Sequence, residues 1–351
     1  MAEILGIGVT HYPLLLGPPE QFADLMRGVL NSKRIPAEAK EPSNWPSAMQ
    51  AEYENEVEAA HIHQAQHIAA FKKVRERIDE FNPDAVIVWG DDQYENFVED
   101  LVPPFNVYCM DDMPTEPFYR KPNNVWGSPT DTTMPYKGAG QLAKTLAYEL
   151  VERDFPIPYS YKNLHFDHGL THAFANALVY LDWDQKGGFP YPLVPIAVNC
   201  YGRGLISTKG GTANLARDAD TDPWLHAPGP SGPTPASCFR LGQLVREILE
   251  EQGGRYVVMA SSGWSHAFLT EKHNYLWPDQ AFDRQRFDEL KAGDQRQWKG
   301  LSNDDIYDAG AQEFKNWICL AGAMEERTPT IVEYLETWIF NSEKCWAIFE
   351  P

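Results

Sequence analysis

The residues able to do chemistry in this chain gather directly after short apolar runs. Thr10–His11–Tyr12–Pro13 follows Ile4–Val9, and Gly90–Asp91–Asp92–Gln93–Tyr94–Glu95–Asn96–Phe97 follows Ala85–Trp89. Asn199–Cys200–Tyr201–Gly202–Arg203 follows Leu193–Val198; Ser261–Ser262–Gly263–Trp264–Ser265–His266 follows Tyr256–Ala260, with Glu271 a few residues on. Between the second and third runs lies His165–Phe166–Asp167–His168–Gly169–Leu170–Thr171–His172. Imidazoles and carboxylates recurring at several such points suit a mononuclear metal site or paired acid–base groups. One histidine after a strand is by default a hydrogen-bonded core residue, and Asp91–Asp92 can serve merely as a cap. It is the conjunction that carries the functional reading. His63 and His67 form a rival pair, because positions i and i+4 share a helix face; against it stands a solvated helix rich in Ala, Gln and Glu, which nothing brings to the strand ends.

Those four apolar runs read as buried strands, and the segments between them as helices. Val57, Ile62, Phe71, Val74 and Ile78 punctuate a charged stretch over 48–81, which Asn82–Pro83 stops. Further helices are expected over 137–152 and 238–252, the latter closed by Gly253–Gly254. Alternating strands and helices predict an α/β fold with a central, mostly parallel sheet flanked by helices. In such sheets ligands collect at the carboxyl ends of the strands, where the chemistry-bearing residues already stand. The stretch 206–235, rich in Gly, Pro, Ser, Thr and Asp, is expected to be a lid loop. Residues 279–325 read as a C-terminal helical cap, and the chain 1–351 as one domain.

Composition excludes several classes of function. Fifty acidic against 30 basic residues leave a net charge of −20, which repels nucleic acid. No run reaches the roughly 20 apolar residues of a membrane span, and MAEILGIGVTHYP has no basic region ahead of a hydrophobic one, so a cytoplasmic protein is expected. The five cysteines lack CxxC spacing and read as reduced core residues.

With His11–Tyr12–Pro13, Asp167–His168–Gly169, Ser262–Gly263–Trp264–Ser265–His266 and the helical stretch from Phe282 to Trp317 in this order, the chain resembles the class III extradiol dioxygenases, a family with protocatechuate 4,5-, 2,3-dihydroxyphenylpropionate and gallate-type branches. The resemblance implies iron(II) held by two histidines and a glutamate, opening a catecholic ring with O₂. His11 matches the first histidine and Glu271 falls near the expected glutamate. At the second histidine the chain departs from the pattern, since Gln93 stands there; a neutral amide oxygen binds iron(II) more weakly than imidazole. His172 stands where another branch has glutamine, so the expected ligand set is His11, His172 and Glu271, with Gln93 or Asp92 close by. His168 backed by Asp167 resembles the family's acid–base pair. Tyr201 is expected to donate a hydrogen bond in place of a further histidine, Arg203 to pair with a substrate carboxylate, and His266 to orient the loop carrying Glu271. Protocatechuate, gallate and 3-O-methylgallate are the implied substrates, and a homodimer the implied assembly. The alternatives are a metal-dependent hydrolase or other oxygenase on the same fold, or a catalytically degenerate binding protein.

Overall fold

The computed structural model describes residues 2–210 and 229–351. The chain opens with β1 (Glu3–Val9), α1 (Glu20–Leu30), α2 (Ser47–Glu54) and α3 (Glu56–Phe81). It continues through β2 (Ala85–Asp91), β3 (Phe105–Tyr108), β4 (Asp112–Thr115), β5 (Met134–Lys137), α4 (Gly140–Glu152), β6 (Tyr159–Ser160), α5 (His172–Leu181), β7 (Leu193–Val198) and α6 (Leu205–Thr208). After the undescribed segment come α7 (Pro235–Gln252), β8 (Arg255–Ser261), α8 (Gln280–Ala292), α9 (Asn303–Asp308), α10 (Lys315–Ala323), β9 (Thr330–Leu335) and β10 (Lys344–Phe349). All four expected strands form, within two residues of their expected ends. Asn82 closes α3 in the left-handed region at φ 47°, its N–H bonded to the Ile78 carbonyl. Thr234 caps α7 by accepting from the Ser237 N–H, ahead of Pro235 in the first turn.

One eight-stranded sheet runs β6-β3-β7-β2-β8-β1-β10-β9. Its centre, β7-β2-β8-β1, is parallel throughout. Register pairs Val9 with Ser261 and Asp91 with Val198, so the exits of all four central strands reach one edge together. β10 adds antiparallel to β1, and β9 to β10. This terminal pair, which the sequence reading does not include, extends the sheet beyond the helical stretch.

The pleat sends alternate residues to two cores. Leu5, Ile7 and Val9 face the side covered by α1, α3 and α5. On the other face, Gly6 and Gly8 leave room for α10: a Cβ at Gly8 would lie 2.0 Å from the Trp317 ring. The Trp317 Nε1 donates to the Ser262 carbonyl, tying α10 to the end of β8. The helical pieces between 280 and 323 therefore end in a helix packed flat on the sheet, and this proves important for the site. Of the expected lid, residues 206–210 and 229–235 are described and the remainder lies outside the described residues.

The rival histidines sit in the core. His63 and His67 are buried on the face of α3 turned toward β10. Lys344 is wholly buried there; its Nζ donates to His63 Nε2 at 3.1 Å and to the Phe340 carbonyl at 3.0 Å, and stands 3.9 Å from the Tyr12 ring centroid. Burial pushes the Lys344 amine down to about 7, against the opposing pull of Glu52 and Glu343. The unfolded chain, with an ordinary lysine near 10.4, then holds a proton that the folded chain releases, so stability rises with pH between about 7 and 10, at up to about 1.4 kcal/mol per pH unit. Lys344→Met is expected to remove that rise, which thermal melts across the same window will read.

Candidate active site

Four segments meet at the carboxyl edge of the sheet. His11, just past β1, is held by its Nδ1 donating to the Ser261 carbonyl at 2.9 Å and by its own carbonyl accepting from Asn176 at 3.1 Å. A carbonyl can only accept, so the Nδ1 carries the proton and the Nε2 lone pair points outward. His172 opens α5, and its Nδ1 lies 2.7 Å from Glu95 Oε2. The two rings stand edge to face at 4.9 Å between centroids. His266 donates from Nδ1 to the Trp264 carbonyl at 2.9 Å, which leaves its Nε2 as a second bare lone pair.

Carboxylates face these imidazoles. Glu313 Oε2 lies 3.4 Å from both His11 Nε2 and His266 Nε2, while its Oε1 accepts from Tyr201 Oη at 2.7 Å and Gln93 Nε2 at 2.8 Å. Asp91 lies 3.9 Å from His11 Nε2. His11, Asp91 and His172 each offer a ligand atom within 4.8 Å of the others. Glu313 Oε2 and Asp91 Oδ2 are buried and have no hydrogen-bond partner among the described residues. Unpaired buried carboxylate oxygens beside imidazole lone pairs are what a divalent cation satisfies, so the donor set fits a nitrogen- and oxygen-liganded metal such as iron(II).

The charges respond to this crowding. Burial, then Glu313, raises the Asp91 carboxyl to about 6. Burial alone would depress His172, but the charge and hydrogen bond of Glu95, followed by Asp91 and Glu313, carry it up to about 9. His172 therefore takes the positive charge among three acids. His266 moves the other way, down to about 3, through burial and then His11, and so stays neutral.

Two cavities open on the centre. One, of about 190 Å³, is lined by His11, Gln93, His172, His266 and Glu313, with Leu14, Leu25, Val29 and Phe268 as an apolar wall. The other, of about 720 Å³, carries Tyr119, Arg120, Lys121, His165, Asp167, His168 and Lys209. Pro13, Gln93 and His172 line both, so the cavities adjoin at His172.

Several expectations are corrected here. Glu271 does not reach His11: it is exposed on a 3-10 turn and lines neither cavity. Thr270 donates back to the His266 carbonyl, turning the following residues outward, and Glu313 is the carboxylate beside His11 instead. Arg203 lies 4.1 Å over the Tyr307 ring, pairs with exposed Asp304 and lines neither cavity. Asp92 accepts from the N–H groups of Glu95, Asn96 and Phe97, so it caps its turn rather than facing the cavities. Asp167 is exposed; the partner of His168 is Glu116, at 2.8 Å, and the His168 ring stacks on Tyr119 in the larger cavity. Tyr201 is buried and holds Glu313 rather than lining a cavity. His11, His172, Gln93 and His266 are brought together. Sequence reasoning missed Glu313, and it gave Asp91 and Glu95, which it placed just after the second strand, no part in the ligand set. For Glu313 a signal existed, a charged residue heading the apolar run of α10.

The family model described as the catalytic LigB subunit of aromatic ring-opening dioxygenase matches residues 46–203 and 228–342. A 2,3-dihydroxyphenylpropionate/2,3-dihydroxicinnamic acid 1,2-dioxygenase of Comamonas testosteroni is 28% identical over 197 residues, 56% of this chain and 47% of that protein. The chain thus spans about half the length of that relative. Its counterpart in Paraburkholderia phymatum is 25% identical over 280 residues, 73% of this chain and 80% of that protein. A crystal structure of an uncharacterized protein from Escherichia coli K12 aligns with 80% of this chain and 91% of that chain, at a TM-score of 0.46 and 14% identity.

Proposed function

The chain belongs to the LigB family of catalytic subunits of aromatic ring-opening dioxygenases, metal-dependent oxidoreductases, and from that footing we propose that it is an iron(II) extradiol dioxygenase for a catechol bearing an acidic side arm. The observation that carries this reading is the meeting of three imidazoles and an unpaired carboxylate oxygen where an apolar cavity adjoins one that carries Arg120 and Lys121.

His11, His172 and Glu313 are the proposed ligands. Both Glu313 and Asp91 present a bare oxygen, but Glu313 lines the smaller cavity and Asp91 does not, and a ligand set open to substrate needs the carboxylate on the cavity side. Tyr201 and Gln93 occupy the other oxygen of Glu313 and aim the free one. Gln93, in the place of the family's histidine, thus positions a ligand. Iron(II), when bound, supplies adjacent open positions for catecholate and O₂.

The smaller cavity receives the aromatic ring, its face against Leu14, Leu25 and Val29. His266, neutral and with its Nε2 free, is placed to accept the proton of a ring hydroxyl; held down at about 3, it would do so only from a hydroxyl whose acidity a bound cation had raised. The larger cavity receives the arm. Arg120 lies 5.1 Å from the Tyr119 ring centroid, and neither it nor Lys121 has a carboxylate within ion-pair distance among the described residues. Burial depresses the Lys121 amine, which an incoming carboxylate would reverse. The relatives named for 2,3-dihydroxyphenylpropionate support such an arm.

The test is anaerobic reconstitution with iron(II) and O₂ uptake with 2,3-dihydroxyphenylpropionate, protocatechuate, gallate, 3-O-methylgallate and catechol. Uptake with a yellow ring-opened product is expected, favouring the acids. Arg120→Ala is expected to raise KM for 2,3-dihydroxyphenylpropionate about tenfold, the worth of a charge-assisted hydrogen bond, and to leave that for catechol unchanged. No uptake with any catechol overturns the reading.

A further inference from the structure

We propose that Glu95 is the positioning residue that makes His172 a metal ligand: one buried carboxylate grips both the ring and the backbone of the histidine and turns its free nitrogen toward His11. The proposal rests on the reading of His172 as a ligand. Glu95 Oε2 lies 2.7 Å from His172 Nδ1, and Glu95 Oε1 accepts the His172 backbone N–H at 3.2 Å. Two contacts from one rigid group fix the imidazole plane and hold a proton on Nδ1, so that Nε2 is the nitrogen presented to a cation.

The second contact answers a local need. His172 begins α5, where backbone N–H groups lack intrahelical acceptors, and the preceding Thr171 makes no side-chain cap. Glu95 supplies the missing acceptor from another segment. Among the described residues no Lys or Arg lies within ion-pair distance of Glu95, so His172 is its only charged partner.

Glu95 is itself held. Its N–H donates to Asp92 Oδ1 at 3.1 Å, and the neighbouring Asn96 Oδ1 accepts from Leu164 N at 2.7 Å and His165 N at 3.1 Å. The loop after β2 is thereby pinned to the loop that leads into α5. That loop carries Gln93 where the family's histidine is expected, and two residues later it carries the group that orients a histidine on the opposite wall. The two imidazoles become unequal donors: a neutral carbonyl backs His11 and a carboxylate backs His172, which makes His172 the more basic ligand.

A double-mutant cycle on metal affinity tests this without catechol or O₂. Cobalt(II) is titrated into wild type, Glu95→Gln, His172→Ala and the double variant, with the visible cobalt spectrum and the melting of each metal-free protein recorded. Glu95→Gln is expected to weaken cobalt binding about 10–100-fold and to shift the spectrum. On the His172→Ala background it is expected to add less than about twofold, because the partner it acts through is gone. Equal losses in both backgrounds, or no loss in either, overturn the proposal. So does cobalt affinity that His172→Ala leaves untouched, which removes the ligand assignment with it. Failure of the dioxygenase reading looks different: the cycle closes as expected and no catechol is turned over.

Discussion

Replacing Glu313 by glutamine is expected to abolish iron binding under conditions that saturate wild type, with an affinity loss beyond the roughly 10–100-fold that follows removal of a residue behind a ligand. The substitution keeps the shape and removes the charge. Tyr201 and Gln93 both donate to the Glu313 oxygen they hold, so the new side chain will turn its carbonyl toward them. Its amide N–H groups then face the Nε2 lone pairs of His11 and His266, each 3.4 Å from the present Oε2. A donor occupies the place of a ligand. Without metal the variant is expected to melt no lower than wild type, since Glu313 helps drive the buried Asp91 carboxyl up to about 6 and its loss relieves that repulsion. Thermal melts with and without cobalt(II) will separate the effects, because a metal that binds only the folded state raises the midpoint. Asp91→Asn, outside the cavity, is expected to weaken the metal less; the reverse order would make Asp91 the ligand.

Removing the His266 imidazole as His266→Ala is expected to lower kcat by about 10²- to 10⁴-fold, the usual span for a positioned proton acceptor. Iron affinity is expected to hold, because Glu313, His11 and His172 remain. His266 lines the same cavity as the proposed ligands, and its protonated Nδ1 is committed to the Trp264 carbonyl. His168 does not share that cavity: it faces the larger one, paired with Glu116 and stacked on Tyr119. His168→Ala is therefore expected to change KM for acid-bearing substrates more than kcat. If His168→Ala lost the turnover and His266→Ala kept it, the acid–base role would return to the Asp-His-Gly segment. Single-turnover kinetics with iron-loaded variants will decide between them.

Much of the scaffold was legible because its signals are local. β1, β2, β7 and β8 are short, apolar and buried on both faces, and each stops at polar or glycine-containing sequence. Asn82–Pro83 and Gly253–Gly254 mark helix ends through backbone preferences that need no neighbours. The strands β9 and β10 were not legible. They follow the helical stretch and carry Glu333, Glu336 and the buried Lys344 among or beside apolar residues, and only the pairing of β10 with β1 gives them a place. His63 and His67 read as solvated for a related reason, since their helix is rich in Ala, Gln and Glu and only packing reveals which face is covered.

The amino-acid sequence by itself determined the parallel centre of the sheet, the edge at which function would gather, and His11, Gln93, His172 and His266 as residues of that edge. Those are consequences of strand-length apolar runs and of what stands immediately after each. The tertiary structure alone decided which carboxylates meet the imidazoles. Glu313 and Glu271 are both acids downstream of His266, and the resemblance to the family points to the nearer one. What separates them is the packing of α10 on Gly6 and Gly8, which carries Glu313 to the end of β1, and the turn at Thr270, which directs Glu271 to solvent. Glu95 is the same case: a strand exit and a helix start 77 positions apart come within 2.7 Å only once the sheet has brought their loops together. A side chain's chemistry is written at its own position, but the charge it faces depends on long-range packing, which no local pattern encodes.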